Sequence, residues 1–109
     1  MFKIVDRLTF THTVRVMVPA DNGHREETLR ATYRVLRVDE INAFNVRDPN
    51  GARDFLREAI VKLDDLADES GNALAYSDAV RDAVLGLPHA RAALASAYLD
   101  AVERAKAKN

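Results

Sequence analysis

Two stretches of strict alternation constrain this chain more than anything else in it. Val14, Val16 and Val18 alternate with Thr13, Arg15 and Met17. After "PADNG" the alternation resumes, with Leu29, Ala31, Tyr33 and Val35 on one side and Thr28, Arg30, Thr32 and Arg34 on the other. A period of two sends successive side chains to opposite faces of an extended backbone, so both stretches read as strands. The polar loop between them, with Pro19 and Gly23 as breakers, makes them an antiparallel hairpin over about residues 8–36. One face is apolar and the other carries Thr and Arg. A lone hairpin is not stable in water, so its apolar face has to be covered by the rest of the chain.

The chain beyond Leu36 has helical spacing. Asp39 is placed to cap a short helix in "DEINAF", and "RDPNG" reads as a loop broken at Pro49 and Gly51. "ARDFLREAIVKL" sets Phe55, Leu56, Ala59, Ile60 and Leu63 on one helical stripe, with Arg53, Asp54, Arg57, Glu58 and Lys62 opposite. "DESGNALAYS", residues 68–77, interrupts the helices with extended chain. Gly71 turns it, Leu74 and Tyr76 hold it to the core, and Ser77 starts the final helix pair by capping "DAVRDAVL", which ends at Gly86. Pro88 suits the first turn of a terminal helix reaching about Lys106. In that helix Ala90, Leu94, Ala97, Tyr98, Ala101, Val102 and Ala105 share a face, and its seven alanines allow close helix approach. The expected fold is α+β: an N-terminal antiparallel β-hairpin followed by about four α-helices, in a single domain over 1–109 with its helical part at about 39–106.

A chain of 109 residues supports one core, and 48% hydrophobic with 30% charged residues is globular composition. The net charge of −1 gives no bulk attraction to nucleic acid or membrane. Its distribution is uneven: residues 1–37 hold seven Lys/Arg against four Asp/Glu, whereas 38–76 hold four against nine. A basic first third thus accompanies an acidic middle, through internal complementarity or as two separate binding faces. The absence of cysteine excludes disulfides, thiolate zinc sites and cysteine nucleophiles. "MFKIVDRLTF" interrupts any leader-like run with Lys3, Asp6 and Arg7, and "AALASAYL" is too short to span a bilayer. A soluble cytoplasmic protein without a membrane partner is expected.

Catalytic and ligand motifs can be tested in turn. Glycines 23, 51, 71 and 86 lie at least fifteen residues apart, so no Gly-rich phosphate loop forms. Ser70, Ser77 and Ser96 lack a nucleophile-elbow context. His12, His24 and His89 fall on separate elements, His12 pairing near residue 32, which argues against a shared metal. If Gly71 stood in an EF-hand loop, Leu66 and Ser77 would be the end ligands, and neither fits. No catalytic, cofactor-binding or metal-ligating residue is assigned, and no enzyme is expected. A small nucleic-acid-binding regulator is the alternative, on Arg15, Arg30 and Arg34 along the hairpin's outer face and a loose helix–turn–helix likeness in "SDAVRDAVLGLPHARAALASAYL". Against it, the would-be recognition helix starts Ala-rich, carries Asp100 and Glu103, and no aromatic side chain interleaves with the arginines.

The order of elements carries a resemblance. "FTHTVRVMVPADNG" with "ETLRATYRVLRVDEI", then "DFLREAIVKLDDLADESGNALAYS", then "LPHARAALASAYLDAVERAKAKN" resemble the tail assembly chaperones of long-tailed bacteriophages and their prophages over nearly the whole chain. The middle element matches as Asp68, Gly71, Leu74, Tyr76 and Ser77, and Lys108-Asn109 matches at the end. The chain departs in having Leu63 where such proteins often place Trp. The resemblance implies a non-enzymatic, cofactor-free role in the host cytoplasm: binding the helical tape measure protein and promoting polymerisation of the tail-tube protein around it, with self-association open. It also implies a longer product made by a −1 ribosomal slip, and "AKN" at 107–109 can be encoded with the heptamer A AAA AAC. Leu94, Tyr98 and Val102, spaced by four on one stripe, are the candidate partner-binding residues, core packing being the competing role.

Overall fold

The computed structural model of the chain describes residues 1–103. The expected continuation of the last helix through Ala105 and Lys106, and the terminal Lys108-Asn109, lie outside the described residues.

The alternating stretches form β1 (Thr9–Ala20) and β2 (Gly23–Arg34), antiparallel from Thr9↔Arg34 to Ala20↔Gly23. Asp21 and Asn22 make the turn, so the strands run further into the expected loop, which is tighter than the sequence implied, while the hairpin's outer bounds stay close to the expected 8–36. Pro19 sits inside β1 instead of ending it. β1 is the edge of a three-stranded sheet of order β1-β2-β3, where a missing N–H can face away from the ladder. Val14, Val16, Leu29, Ala31 and Tyr33 are buried on the inner face. On the outer face the Thr11 and Thr32 hydroxyls meet across the strands at 2.8 Å.

The third strand corrects the expected long helix. α2 (Pro49–Ala59) stops where Ile60 turns extended, φ −78° and ψ 122°, while its N–H still bonds the Leu56 carbonyl. β3 (Ile60–Asp64) then pairs with β2 as Tyr33↔Ile60, Thr32↔Lys62, Ala31↔Leu63 and Arg30↔Asp64. A register shift between Thr32 and Tyr33 absorbs one residue of β3, so Ile60 and Leu63 both point inward although three apart. A spacing of three is helical in an unbulged chain. Two forces favour the strand: it opens on the β-branched pair Ile60-Val61, and β2 would otherwise expose an open edge.

Helix starts also shift. α1 (Val38–Ile41) begins before the expected Asp39 cap, with the Glu40 carboxylate accepting the Arg37 N–H at 2.8 Å. "RDPNG" opens α2 and is not a loop: the Asp48 carboxylate accepts the N–H groups of Asn50 at 3.1 Å and Gly51 at 3.2 Å, and Pro49 occupies the first turn. Ser77 caps α3 (Asp78–Leu85) as expected, accepting the Val80 N–H at 3.1 Å, and Gly86 ends it. α4 (Pro88–Val102) starts at its proline. The helices cover the inner face, with Phe55, Leu56, Leu85 and Leu94 joining the strand residues in one core. The fold is mixed α+β, a hairpin-based sheet with four helices among the described residues.

Candidate interaction surface

The stripe on α4 faces inward. Leu94 and Tyr98 are buried and Val102 is half-buried, so the first two side chains pack this chain's own core. Tyr98 lies edge-on to Tyr33 (centroids 5.4 Å apart) and to Phe55 (5.2 Å), with Phe10 stacked at a tilt on Tyr33 at 5.2 Å. The Tyr98 hydroxyl accepts the Leu36 N–H at 2.9 Å, and the Tyr33 hydroxyl donates to the Leu94 carbonyl at 2.8 Å. Burial pushes both phenols above the ordinary tyrosine range, that of Tyr33 far above it. A partner could reach Leu94 or Tyr98 only by prising α4 from the sheet.

The extended piece that interrupts the helices is a miniature hairpin. β4 (Leu66–Ala67) pairs with β5 (Ala73–Leu74), and Asp65 in the left-handed region (φ 62°) redirects the chain out of β3. Asp68 organises the tip. Its carboxylate accepts the N–H groups of Ser70 and Asn72 at 2.9 Å each, and its own N–H bonds the Asn72 carbonyl at 2.8 Å. Gly71 supplies the left-handed turn, φ 88°. The Asn72 backbone N–H, foremost, holds the Asp68 carboxyl below its usual range. Tyr76 then packs half-buried on the core, as expected. Leu74 does not: it is 41% exposed.

Leu74 instead walls an open groove. Two adjoining depressions of about 300 and 210 Å³ run between the miniature hairpin, α3 and the turn end of the β1–β2 hairpin. They share Leu66, Ala67, Val84 and Leu87; Val16 and Val18 extend the floor toward the sheet, and Leu74 and Val80 toward α3. Leu87 is 48% exposed. Exposed Glu27, Asp65 and Asp68 line its rim, with half-buried His89 also in the lining. The sequence hid this groove because its residues come from separate elements, each unremarkable alone; the signal available was Leu87, a leucine stranded between Gly86 and Pro88.

A second apolar feature lies at the other end of the hairpin. The ladder closes with the Val35 N–H on the Leu8 carbonyl at 2.8 Å, and Arg7 adopts φ 83°, a left-handed conformation uncommon for a residue other than glycine. The preceding arm holds Phe2 and Ile4 at 92% exposure each, with Met1, Val5 and Leu8 also exposed. The arm lies over Val35, Leu36 and Arg37. A charged depression beside it brings Arg7, Arg34 and Arg37 together with Asp6, Asp39 and Glu40, so its signs offset.

The remaining candidates stay apart. His12 stands opposite Ala31, His24 opposite Pro19 and His89 in the first turn of α4. Among the described residues no group of three or more His, Cys, Asp or Glu side chains could hold a metal ion, and no helix is long and apolar enough to cross a membrane. Arg15, Arg30 and Arg34 do share the outer sheet face, opposite Thr28, Thr13 and Thr9, with Arg30 also beside Asp64 of β3. Phe10 and Tyr33 belong to the inner side, so no aromatic ring joins those arginines. No family model, curated protein or solved structure matches the chain.

Proposed function

We propose that this chain is a non-enzymatic phage tail assembly chaperone, which binds the helical tape measure protein and holds its apolar surface covered while tail-tube subunits assemble around it. The observation that carries the reading is the open apolar groove ending at Leu74 and Leu87, half-exposed leucines on a folded core. An amphipathic helix laid in such a groove buries a stripe that would otherwise drive aggregation, and it does so reversibly. The resemblance in element order supplies the class of partner. The groove, not the Leu94–Tyr98 stripe, is the surface this function would use.

Co-expression tests it. With its cognate tape measure protein, this chain should raise the partner's soluble yield and co-purify with it. The alternative, nucleic-acid binding, draws on the outer face, where Arg15, Arg30 and Arg34 align. Sequence-specific DNA binding that persists at physiological salt, without any effect on tape measure solubility, would replace the chaperone reading.

A further inference from the structure

We propose that in the free protein the groove is filled by the N-terminal arm, residues 1–8, of a second copy of this chain, the two copies exchanging arms about a two-fold axis. The arm presents Phe2 and Ile4 almost wholly to solvent, and the groove presents Leu74 and Leu87 half-exposed. Two apolar surfaces left uncovered on one small chain are complementary needs.

The arm does not reach its own groove. It departs at Arg7, next to Val35, and lies over residues 35–37. The groove begins at Val16 and Val18, toward the opposite end of β1. The strand from Thr9 to Val16 covers roughly 23 Å, with Leu74 and Leu87 farther still. Residues 1–8 span at most about 25 Å fully extended, so folded back along β1 Phe2 and Ile4 would come no farther than the near end of the groove and leave Leu74 and Leu87 uncovered.

Charge points the same way. The arm carries Lys3 and Arg7 against Asp6. The groove rim carries Asp65, Asp68 and Glu27, with His89 also in the lining. Glu27 already pairs with Arg25 at 2.8 Å, which leaves Asp65 and Asp68 as the acidic groups open to the arm. In an extended arm Phe2 and Ile4 project to one side, into the groove, while the long Lys3 side chain can bend over the acidic rim.

The topology supplies the symmetry. β1 is a free edge of the sheet, with the arm at its start and the groove near its end. Setting two β1 edges antiparallel brings each arm to the other copy's groove. The exchange is then reciprocal, and the assembly closes as a dimer instead of growing into a filament.

Sedimentation of the full-length chain over a range of concentrations tests the proposal on the free protein. The wild type should be a concentration-dependent dimer. The arm variant Phe2→Asp/Ile4→Asp and the groove variant Leu87→Asp should each weaken the dimer about tenfold or more, with the circular dichroism spectrum unchanged because these side chains are exposed. Mixing the two variants should restore part of the association, since one intact arm meets one intact groove. Lys3→Glu should weaken the dimer and Asp65→Lys should rescue it. A monomer at every concentration, or a dimer that neither variant weakens, overturns the proposal. No tape measure protein enters this experiment, so its failure would leave the chaperone reading standing, and failed partner capture would leave the dimer standing.

Discussion

At the scale of single residues the molecule turns on two tyrosines. Tyr98 binds α4 to the segment after β2 through the Leu36 N–H, and Tyr33 binds β2 back to α4 through the Leu94 carbonyl. The two bonds are not equivalent. Removing the Tyr98 hydroxyl leaves the Leu36 N–H buried without an acceptor, so Tyr98→Phe should cost about 1–3 kcal/mol. Tyr33→Phe should cost less, about 0.5–1.5 kcal/mol, because the Leu94 carbonyl sits inside α4 with a helical N–H to accept. Urea midpoints of the two variants check the order. The same burial sets an alkaline limit. Both phenols are held neutral above the ordinary tyrosine range, so their contribution is complete below about pH 10, where an unfolded tyrosine titrates, and drains away as pH rises through the folded values. Burial raises the half-buried Tyr76 phenol as well, so phenolate absorbance should lag behind that of free tyrosine for all three, with Tyr33 and Tyr98 ionising only as the protein unfolds.

At the scale of elements two glycines that look alike in sequence should behave oppositely. A Cβ at Gly51 would run into the Asn45 backbone carbonyl, whereas a Cβ at Gly86 would find its nearest neighbours, the Ala83 and Asp82 carbonyl oxygens, at 3.4 and 3.5 Å. Gly86 also has ordinary helical backbone, φ −75°. Gly51→Ala should destabilise by more than the ~0.5–1 kcal/mol that alanine gains in a helix, since the chain around Asn45 must shift. Gly86→Ala should be neutral or stabilise by up to about 1 kcal/mol. Thermal melts of the two variants decide it. The hairpin, the Ser77 cap and the Pro88 start were legible because each rests on local chemistry: alternation, a hydroxyl before an apolar helix, a proline at a first turn. β3 was not, because the bulge opposite Thr32 gives Ile60 and Leu63 the spacing of a helix while both face the core. The Asp48 cap was hidden in the same way, behind a Pro and a Gly that normally signal a loop. The groove was less legible still, being assembled from β1, β2, β4, β5, α3 and the start of α4 by packing that no local window contains.

At the scale of the whole molecule none of the core aromatic rings lines the groove proposed for a partner, so the proposed recognition and the stability of the fold draw on different residues. Leu74 and Leu87 are each about half-exposed, so replacing them should change folding stability little compared with the core tyrosines. Covering them with a partner is another matter. Completing the burial of two leucines contributes up to roughly 1.5–3 kcal/mol apiece, of which the half-exposed part is about half. Leu74→Asp/Leu87→Asp also sets two new charges in an apolar trough, which must be desolvated on binding. Capture of the tape measure protein should thus fall about hundredfold or more, while the melting temperature shifts by only a few degrees. Phe2→Asp/Ile4→Asp provides the contrast: it removes the arm's grip on a second copy and leaves the groove intact, so partner capture should persist or strengthen as the groove is freed. Pull-down of the tape measure protein by the two double variants, run beside their sedimentation, reads both surfaces at once. Loss of capture in the arm variant with retention in the groove variant would move the partner site from the groove to the arm.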